Sequence, residues 1–409
     1  MSLWANRSYR LLFSATAVSN LGDGVSALAF PWLATLITRD PVLISLVAFA
    51  TRLPWFLLSI PAGAVVDRSD RQRLIVRSDW VRMALTVAVI GLILTVPAFP
   101  PVSGEVFYIS MLSVLAFLLG TAEVLRDNAA QTILPSVVRA EELETANGQL
   151  WSAEHVMGQF IGPPLAGVLI ALAVPAPFIL DALTFAVAAL AVAAMQVRAR
   201  DMAPKRAIGA DIREAWEWMR AHPMVLRVAV VLGVMNGASI LALTMLVLIS
   251  QERLGLEAFG HGILLTAGAA GGVTGGLLGP RVIARMGRIA TLRLALVMFP
   301  LTFFVIALSS NPWVVGVALF FEAVAALLWN IVTVSWRQRI VPDALLGRVN
   351  SIYRFFGWGV TPLGAIAGGV LVAATEGPLG RDLALQLPYL VGAVILTGVL
   401  AYSWRRLSL

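Results

Sequence analysis

"AGAVVDRSDRQR", Ala62 to Arg73, places five charges in seven residues directly behind a long apolar run. The run before it, near 42–66, and the run after it, near 74–97, are each long enough to cross the hydrocarbon of a bilayer, which takes about 20 helical residues. A short charged turn between two such runs is what a helical hairpin needs where it returns to water. That reading recurs along the whole chain. Of its 409 residues 59% are hydrophobic and 13% charged, with mean hydropathy +0.86, too little polar material to coat a water-soluble domain. Similar segments lie near 11–37, 105–134, 145–173, 177–198, 224–250, 258–284, 289–310, 312–337, 345–374 and 385–404, making twelve. A membrane barrel would show alternating strands of about 10 residues instead. The expectation is an all-α membrane protein of 12 transmembrane helices.

The distribution of charge orients these helices. Net charge is +7. Arg7 and Arg10 precede the first span, and Arg68, Arg71, Arg73 and Arg77 lie around the second connection. Arg139 lies in the fourth connection, Arg198, Arg200, Lys205, Arg206, Arg213 and Arg220 in the sixth, and Arg281, Arg285 and Arg288 in the eighth. Arg337, Arg339 and Arg348 mark the tenth, and Arg405 and Arg406 close the chain. Odd-numbered connections hold little beyond Arg39, Arg253 and Arg381. By the positive-inside rule both termini face the cytoplasm, and the basic surface meets anionic lipid rather than nucleic acid. The first segment contains Asn20, Asp23 and Pro31 and ends in no A-x-A site, so it is not read as a cleaved signal peptide. Cysteine is absent and His155, His222 and His261 are the only histidines, which excludes disulfides, thiol catalysis and Cys-ligated metals and disfavours a His-rich metal site. Lys205, the only lysine, follows Pro204, so no G-K-[ST] phosphate loop exists. With no recognisable nucleophile-base set either, an ATP-driven pump and a lipid-modifying enzyme are both rejected. The single lysine among 30 basic residues fits a GC-rich bacterial genome, hence a bacterial inner (cytoplasmic) membrane.

The longest polar interval, "RARDMAPKRAIGADIREAWEWMRAHP", divides the spans six and six. Within it Asp211 and Glu214 are spaced as a capping pair, while Ile212, Trp216 and Met219 recur at helical intervals. The expected organisation is a six-helix bundle over 1–198, a cytoplasmic linker with an amphipathic surface helix over 199–222, and a second six-helix bundle over 223–409. Internal repetition accompanies that division. The segment from Ile133, "ILPSVVRAEELETANGQLWSAEHVMGQFIGPPLAGVL", parallels "IVPDALLGRVNSIYRFFGWGVTPLGAIAGGVL" from Ile340, with Asn147 and Asn350 opening the next helix in each. Two such repeats imply a central binding region and alternating access.

These residues resemble the major facilitator superfamily across essentially the whole chain. Its signature after the second span, roughly G-x-x-x-D-R-x-x-R, is filled by Gly63, Asp67, Arg68 and Arg71. Asp70 stands where the superfamily usually has Gly, and Arg73 lies beside Gln72, which replaces a basic residue. The fifth-span stretch "GQFIGPPLAG" is similar to the antiporter motif G-x-x-x-G-P-x-x-G-G, matched by Gly158, Gly162, Pro163 and Gly167, with Ala166 in one Gly position. "LGDGVSALAFPWL", "RDNAAQTILPSVV" and "LLGRVNSIYR" resemble the drug/proton antiporter branch containing macrolide, tetracycline, chloramphenicol and enterobactin exporters. The resemblance implies the two pseudo-symmetric six-helix bundles of the major facilitator fold and gating by the aspartate and arginines of the first signature. It also implies monomeric export of small amphipathic molecules driven by a proton gradient, with no cofactor. A lysophospholipid or siderophore carrier, and a transporter-like receptor that moves nothing, remain alternatives on the same scaffold.

An ionisable group mid-span costs at least ~2.5 kcal/mol by insertion scales, so each calls for a partner or a function. Asp23 sits between Gly22 and Gly24 in span one, and Arg52 at similar depth in span two; they are read either as a pair or as substrate or proton sites. Glu154 in span five, Asp23 and Glu322 in span ten are the proton-coupling candidates, because partly desolvated carboxylates take up and release protons near neutral pH. Arg354 lies in span eleven at the depth Glu154 and His155 occupy in span five. Glu123, Arg126 and Asp127 share one turn of span four, at spacings that favour local pairing. Trp55, Phe117, Asn236, Trp329, Asn330, Tyr353 and Trp358 are candidate cavity residues, being aromatic or neutral polar; interfacial anchoring explains the tryptophans equally well.

Overall fold

The computed structural model describes residues 3–67, 69–197 and 208–406. Among these the chain is helical almost throughout and has no strand. The helices are α1 (Arg7–Ile37), α2 (Pro41–Asp67), α3 (Arg71–Leu94), α4 (Glu105–Ile133), α5 (Leu143–Glu154), α6 (Gly162–Leu172), α7 (Ala176–Ala193) and α8 (Ile208–Ala221). After these come α9 (Pro223–Leu243), α10 (Leu246–Glu252), α11 (Ala258–Met286), α12 (Arg288–Leu308), α13 (Pro312–Ile340), α14 (Asp343–Gly359), α15 (Thr361–Leu379) and α16 (Arg381–Arg406). A π-helical stretch, His155–Ile161, joins α5 to α6. With α5–α6, α9–α10 and α14–α15 each taken as one interrupted run, the long helical runs fall in the twelve expected places.

Ten of these runs are long and apolar enough to cross a membrane. The other two are α1 and α3. The first carries Asn20 and Asp23, and the second Arg77, Asp79 and Arg82, inside otherwise apolar stretches. Both helices that composition alone passes over carry charge within their length.

Local chemistry sets the helix ends. Asn6 caps α1 by accepting from the Ser8 and Tyr9 amides at 3.0 and 3.2 Å, and its Nδ2 donates to the Val137 carbonyl at 2.8 Å. Asp70 caps α3 and Asn311 caps α13 through side-chain oxygens, each satisfying an amide that the helix start leaves orphaned. Prolines stand in the first turn of α6, α7, α9, α13 and α15, where a missing amide costs nothing.

The helices divide into two compact units, Met1–Arg39 with Leu46–Pro204 and Glu257–Ile263, and Asp40–Ser45 with Lys205–Leu256 and Leu264–Leu409. In the first, α1 packs on α6 and α7, and α3 on α4 and α7. Its principal apolar cluster gathers Tyr9 and Leu12 of α1, Ile75 of α3, Ala129 and Ile133 of α4, and Val192 of α7. In the second, α12 packs on α13 and α16, and α9 on α14, α15 and α16. Phe303 and Tyr389, both fully buried, meet there with ring centroids 5.3 Å apart. In lipid such burial gains little over contact with acyl chains, so close packing and polar links carry the cohesion. Helix α8 lies against α14 with Ala215 and Met219 buried and the Trp216 ring stacked on Phe356 at 6.3 Å. Glu214 pairs with Arg348, leaving Arg213, Glu217 and Arg220 exposed.

Candidate functional site

The first unit holds a buried cluster of charge built from α1, α3, α4 and α7. Gly22, before Asp23, has no side chain; a Cβ there would lie 2.1 Å from Thr184 Oγ1 and 2.4 Å from Asp181 Oδ1. That absence lets the polar face of α7 press onto α1. Arg82 of α3 reaches across to pair with Asp23 and donates from Nη1 to Ser19 Oγ at 3.4 Å. Its guanidinium carbon lies 3.9 Å from the Phe185 ring centroid, a cation–π contact that also shields it from lipid. One turn earlier on the same helix, Asp79 stands 3.7 Å from Arg82 Nη1 and 3.5 Å from Arg126 Nε of α4. Arg126 completes the chain by pairing with Asp127 at 3.1 Å. Asp181 accepts a 2.6 Å hydrogen bond from Ser26 Oγ.

Asp79 is fully buried and Arg82 is 3% exposed, yet neither Asp79 oxygen has a hydrogen bond among the described residues. Its two arginine contacts are ion pairs at longer range. A buried charge so held is expensive, and removing either partner would leave the other uncompensated. Glu123 lies within electrostatic range of Asp23, Arg82, Arg126 and Asp127, and Arg52 within range of Glu123. Five carboxylates, Asp23, Asp79, Glu123, Asp127 and Asp181, thus share three guanidinium groups, Arg52, Arg82 and Arg126. The structure pairs Asp23 with Arg82 and leaves Arg52 Nε buried without a hydrogen bond from a described residue. The sequence reading had identified neither Asp79, Arg82 nor Asp181. The available signal was an acid and an arginine three apart, half a dozen residues into the apolar run that begins at Leu74.

Glu154 ends α5 where the helix changes to π geometry. It is exposed and lies within electrostatic range of Asp127, Arg126 and Asp23. His155 stacks on Trp151, rings 6.2 Å apart at 16°. The π turn has a covalent cause. Pro163 and Pro164 have no amide to donate back along the helix, and the Gly162 amide instead bonds Met157, five residues back. Here the antiporter-like glycines make a backbone contact with α1: a Cβ on Gly24 would sit 2.2 Å from the Gly158 carbonyl oxygen, and one on Gly162 would sit 2.6 Å from Gly24. At Gly167 a Cβ would sit 2.4 Å from the Phe259 backbone.

In the charged turn that opens the sequence reading, Arg68 lies outside the described residues, and Gly63 and Asp67 belong to the last turns of α2. Arg71 donates to the Thr132 carbonyl at 2.8 Å, at the end of α4. Gln72 donates to the Val192 and Met195 carbonyls, at the end of α7, at 2.8 and 2.9 Å. Both side chains donate to carbonyls at helix C-termini, where backbone donors run short. Arg73 is exposed beside Asp70 at 3.6 Å.

In the second unit Glu322 of α13 is within electrostatic range of Tyr389. Arg337, 7% exposed, donates from Nε to Asn350 Oδ1 at 2.7 Å and lies 3.8 Å from the Tyr353 ring centroid. The sequence had marked Arg337 only as a topology signal. Asn236 donates to the Gly357 carbonyl at 2.8 Å, binding α9 to α14. Trp329 is fully buried, Asn330, Arg354 and Trp358 are exposed, and Trp55 and Phe117 are intermediate. Among the described residues no group of three or more His, Asp or Glu could hold a metal ion.

The sequence model of a family described as transmembrane secretion effector matches residues 1–404. The multidrug efflux pump Tap of Mycolicibacterium fortuitum is 29% identical over 400 residues, which cover 94% of this chain and 94% of that protein. A protein of the same name from Mycobacterium tuberculosis is 28% identical over 420 residues, covering 96% and 92%. Among solved structures, a bacterial homologue of the iron transporter ferroportin matches with a TM-score of 0.77 at 17% identity, covering 99% of this chain and 100% of that one. A bacterial homologue of the human lysosomal transporter Spinster matches at 0.74 and 14% identity, over 97% and 95%. At these identities the structural likeness concerns the fold.

Proposed function

The chain belongs to the transmembrane secretion effector family of the major facilitator superfamily, and on that premise we propose that it exports small amphipathic molecules in exchange for protons by alternating access. Relatives named multidrug efflux pump support the cargo class. The observation that supports proton exchange is the imbalance in the first unit, where five buried or half-buried acids share three arginines around Asp23, Arg82 and Asp79. A net negative charge sequestered from water costs free energy that proton uptake relieves. Such a cluster is a proton acceptor wherever water reaches it, and Glu154, exposed at the edge of its field, gives it a path of entry. Glu322 is the corresponding candidate in the second unit. Export proceeds with no cofactor and the proton gradient as the energy source; the protein works as a monomer in the bacterial inner membrane, with both termini in the cytoplasm.

The test is transport by the purified chain in proteoliposomes under an imposed pH gradient. A fluorescent amphipathic drug should move against its gradient, with protons counterflowing, and Asp23→Asn and Glu154→Gln should each slow that exchange about a hundredfold, the low end of what a positioned proton-transfer group contributes. Drug movement at an unchanged rate after the pH gradient is collapsed would remove proton coupling. Lysolipid and siderophore in parallel vesicles decide between the carrier readings; binding of a cargo without counterflow would favour the receptor.

A further inference from the structure

In the second unit α9 and α16 line a cleft of about 540 Å³, within the roughly 300–1,000 Å³ of ligand-sized sites. Its walls are apolar: Val230, Val231 and Val234 on α9 face Ile395 and Val399 on α16. Gly398 completes the α16 wall, and a Cβ built there would meet nothing within 4 Å, so the space is open rather than filled by a neighbour. The polar groups lie at one end. Arg227, one turn into α9, and Tyr402 line the mouth, and the Arg406 guanidinium lies 4.8 Å from the Tyr402 ring centroid. Among the described residues Arg227 makes no ion pair or hydrogen bond, and no carboxylate lines the cleft.

The dimensions decide what fits. From Pro223 to Val234 the lining climbs about 17 Å along α9 at 1.5 Å per residue, close to the ~15 Å depth of one leaflet. A cleft one leaflet deep, apolar along its length and positive only at the level of the headgroups, is complementary to a single phospholipid: an acyl chain against the valines, a negative phosphate between Arg227 and Arg406. We propose that this cleft binds an anionic phospholipid from the leaflet that the basic face of the protein meets. Basic pockets between transmembrane helices bind such headgroups elsewhere, and an aromatic ring at the mouth suits the interfacial level. The inference is independent of what the protein exports.

Native mass spectrometry of the full chain in detergent, with phosphatidylglycerol or phosphatidylcholine of identical acyl chains added, tests it. The wild type should retain phosphatidylglycerol preferentially. Arg227→Gln should lower that retention about fivefold, and Arg227→Gln with Arg406→Gln about another fivefold, from the electrostatic worth of each arginine near anionic lipid. Gly398→Leu should displace the lipid while both arginines remain, and Arg285→Gln, a basic residue outside the cleft, should change nothing. Inorganic phosphate should not compete, since it lacks the acyl chain. Equal retention of the two lipids by the wild type, wild-type retention by the Arg227→Gln variant, or displacement by inorganic phosphate would overturn the proposal. Arg227 is exposed and has no ion pair or hydrogen bond among the described residues, so its variant leaves the packing intact and keeps the test decisive if Gly398→Leu proves unstable.

Discussion

Asp79 is the residue on which the buried cluster turns. It is enclosed by Arg82 and Arg126 at 3.7 and 3.5 Å with no hydrogen bond to either, so its charge is held by field rather than by contact. Arg82 in turn serves Asp23 and Asp79 together. Deleting the shared cation should therefore cost more than deleting either anion. Arg82→Gln is expected to destabilise the protein by about 3–5 kcal/mol, the usual loss when one member of a buried pair goes. Adding Asp79→Asn to that variant should restore part of the loss, because one of the two stranded anions is neutralised, a coupling that a double-mutant cycle in thermal unfolding measures. A double variant no more stable than Arg82→Gln alone would show that the pair is incidental. Asp23 was legible in the sequence because an acid between two glycines in an apolar run is conspicuous. Asp79 was not, since the charges from Asp67 to Arg77 run almost without a break into it and read as one solvated turn. Nor was the partner of Asp23. Matching residues by depth fixes how far each lies along its helix but not which way it faces, and Arg82 rather than Arg52 faces it.

At the scale of elements, the sequence placed the helical runs but not the breaks inside them. Pro163 and Pro164, and Pro362 in the repeat-related stretch, stand at the junctions α5–α6 and α14–α15, but Pro31, Pro54 and Pro300 lie inside unbroken helices, and the break between α9 and α10 at Thr244–Met245 contains no proline. The π register of His155–Ile161 was not legible either, because it depends on which carbonyl the Gly162 amide selects once its neighbours cannot donate. That register has a geometric consequence. One extra residue in the turn rotates everything before it by about 100° relative to a continuous α-helix, and π turns of this kind recur at functional sites. It sets the direction of Glu154 and brings Gly158 against Gly24. Replacing both prolines, Pro163→Ala with Pro164→Ala, supplies the missing amides and allows α geometry to return. Thermal stability should then stay level or rise, as alanine is the better helix former, while drug export falls about a hundredfold, the smallest contribution expected of a positioned proton-transfer group. Export at the wild-type rate in a protein of equal or higher stability would show the π turn to be dispensable.

At the scale of the whole molecule, the helical runs were readable because a bilayer imposes a common length and a largely apolar composition on its crossings. Which face of each helix turns inward was not, since an apolar residue suits lipid and protein interior alike. Orientation rests on a different physical quantity, the distribution of arginines, and so can be tested apart from the fold. The third connection, between α3 and α4, has no basic residue, and Val102 within it is 98% exposed. Ala221, at the end of α8 beside Arg220, lies in the most basic interval of the chain and is also exposed. Because the protein has no cysteine, Val102→Cys and Ala221→Cys each introduce its only thiol. In intact cells a membrane-impermeant maleimide should label Val102→Cys within minutes and leave Ala221→Cys unmodified until the membrane is opened. Labelling of both from outside would place an odd number of crossings wrongly, and the reverse pattern would invert the protein. Either result would carry the basic mouth between α9 and α16 to the outer leaflet.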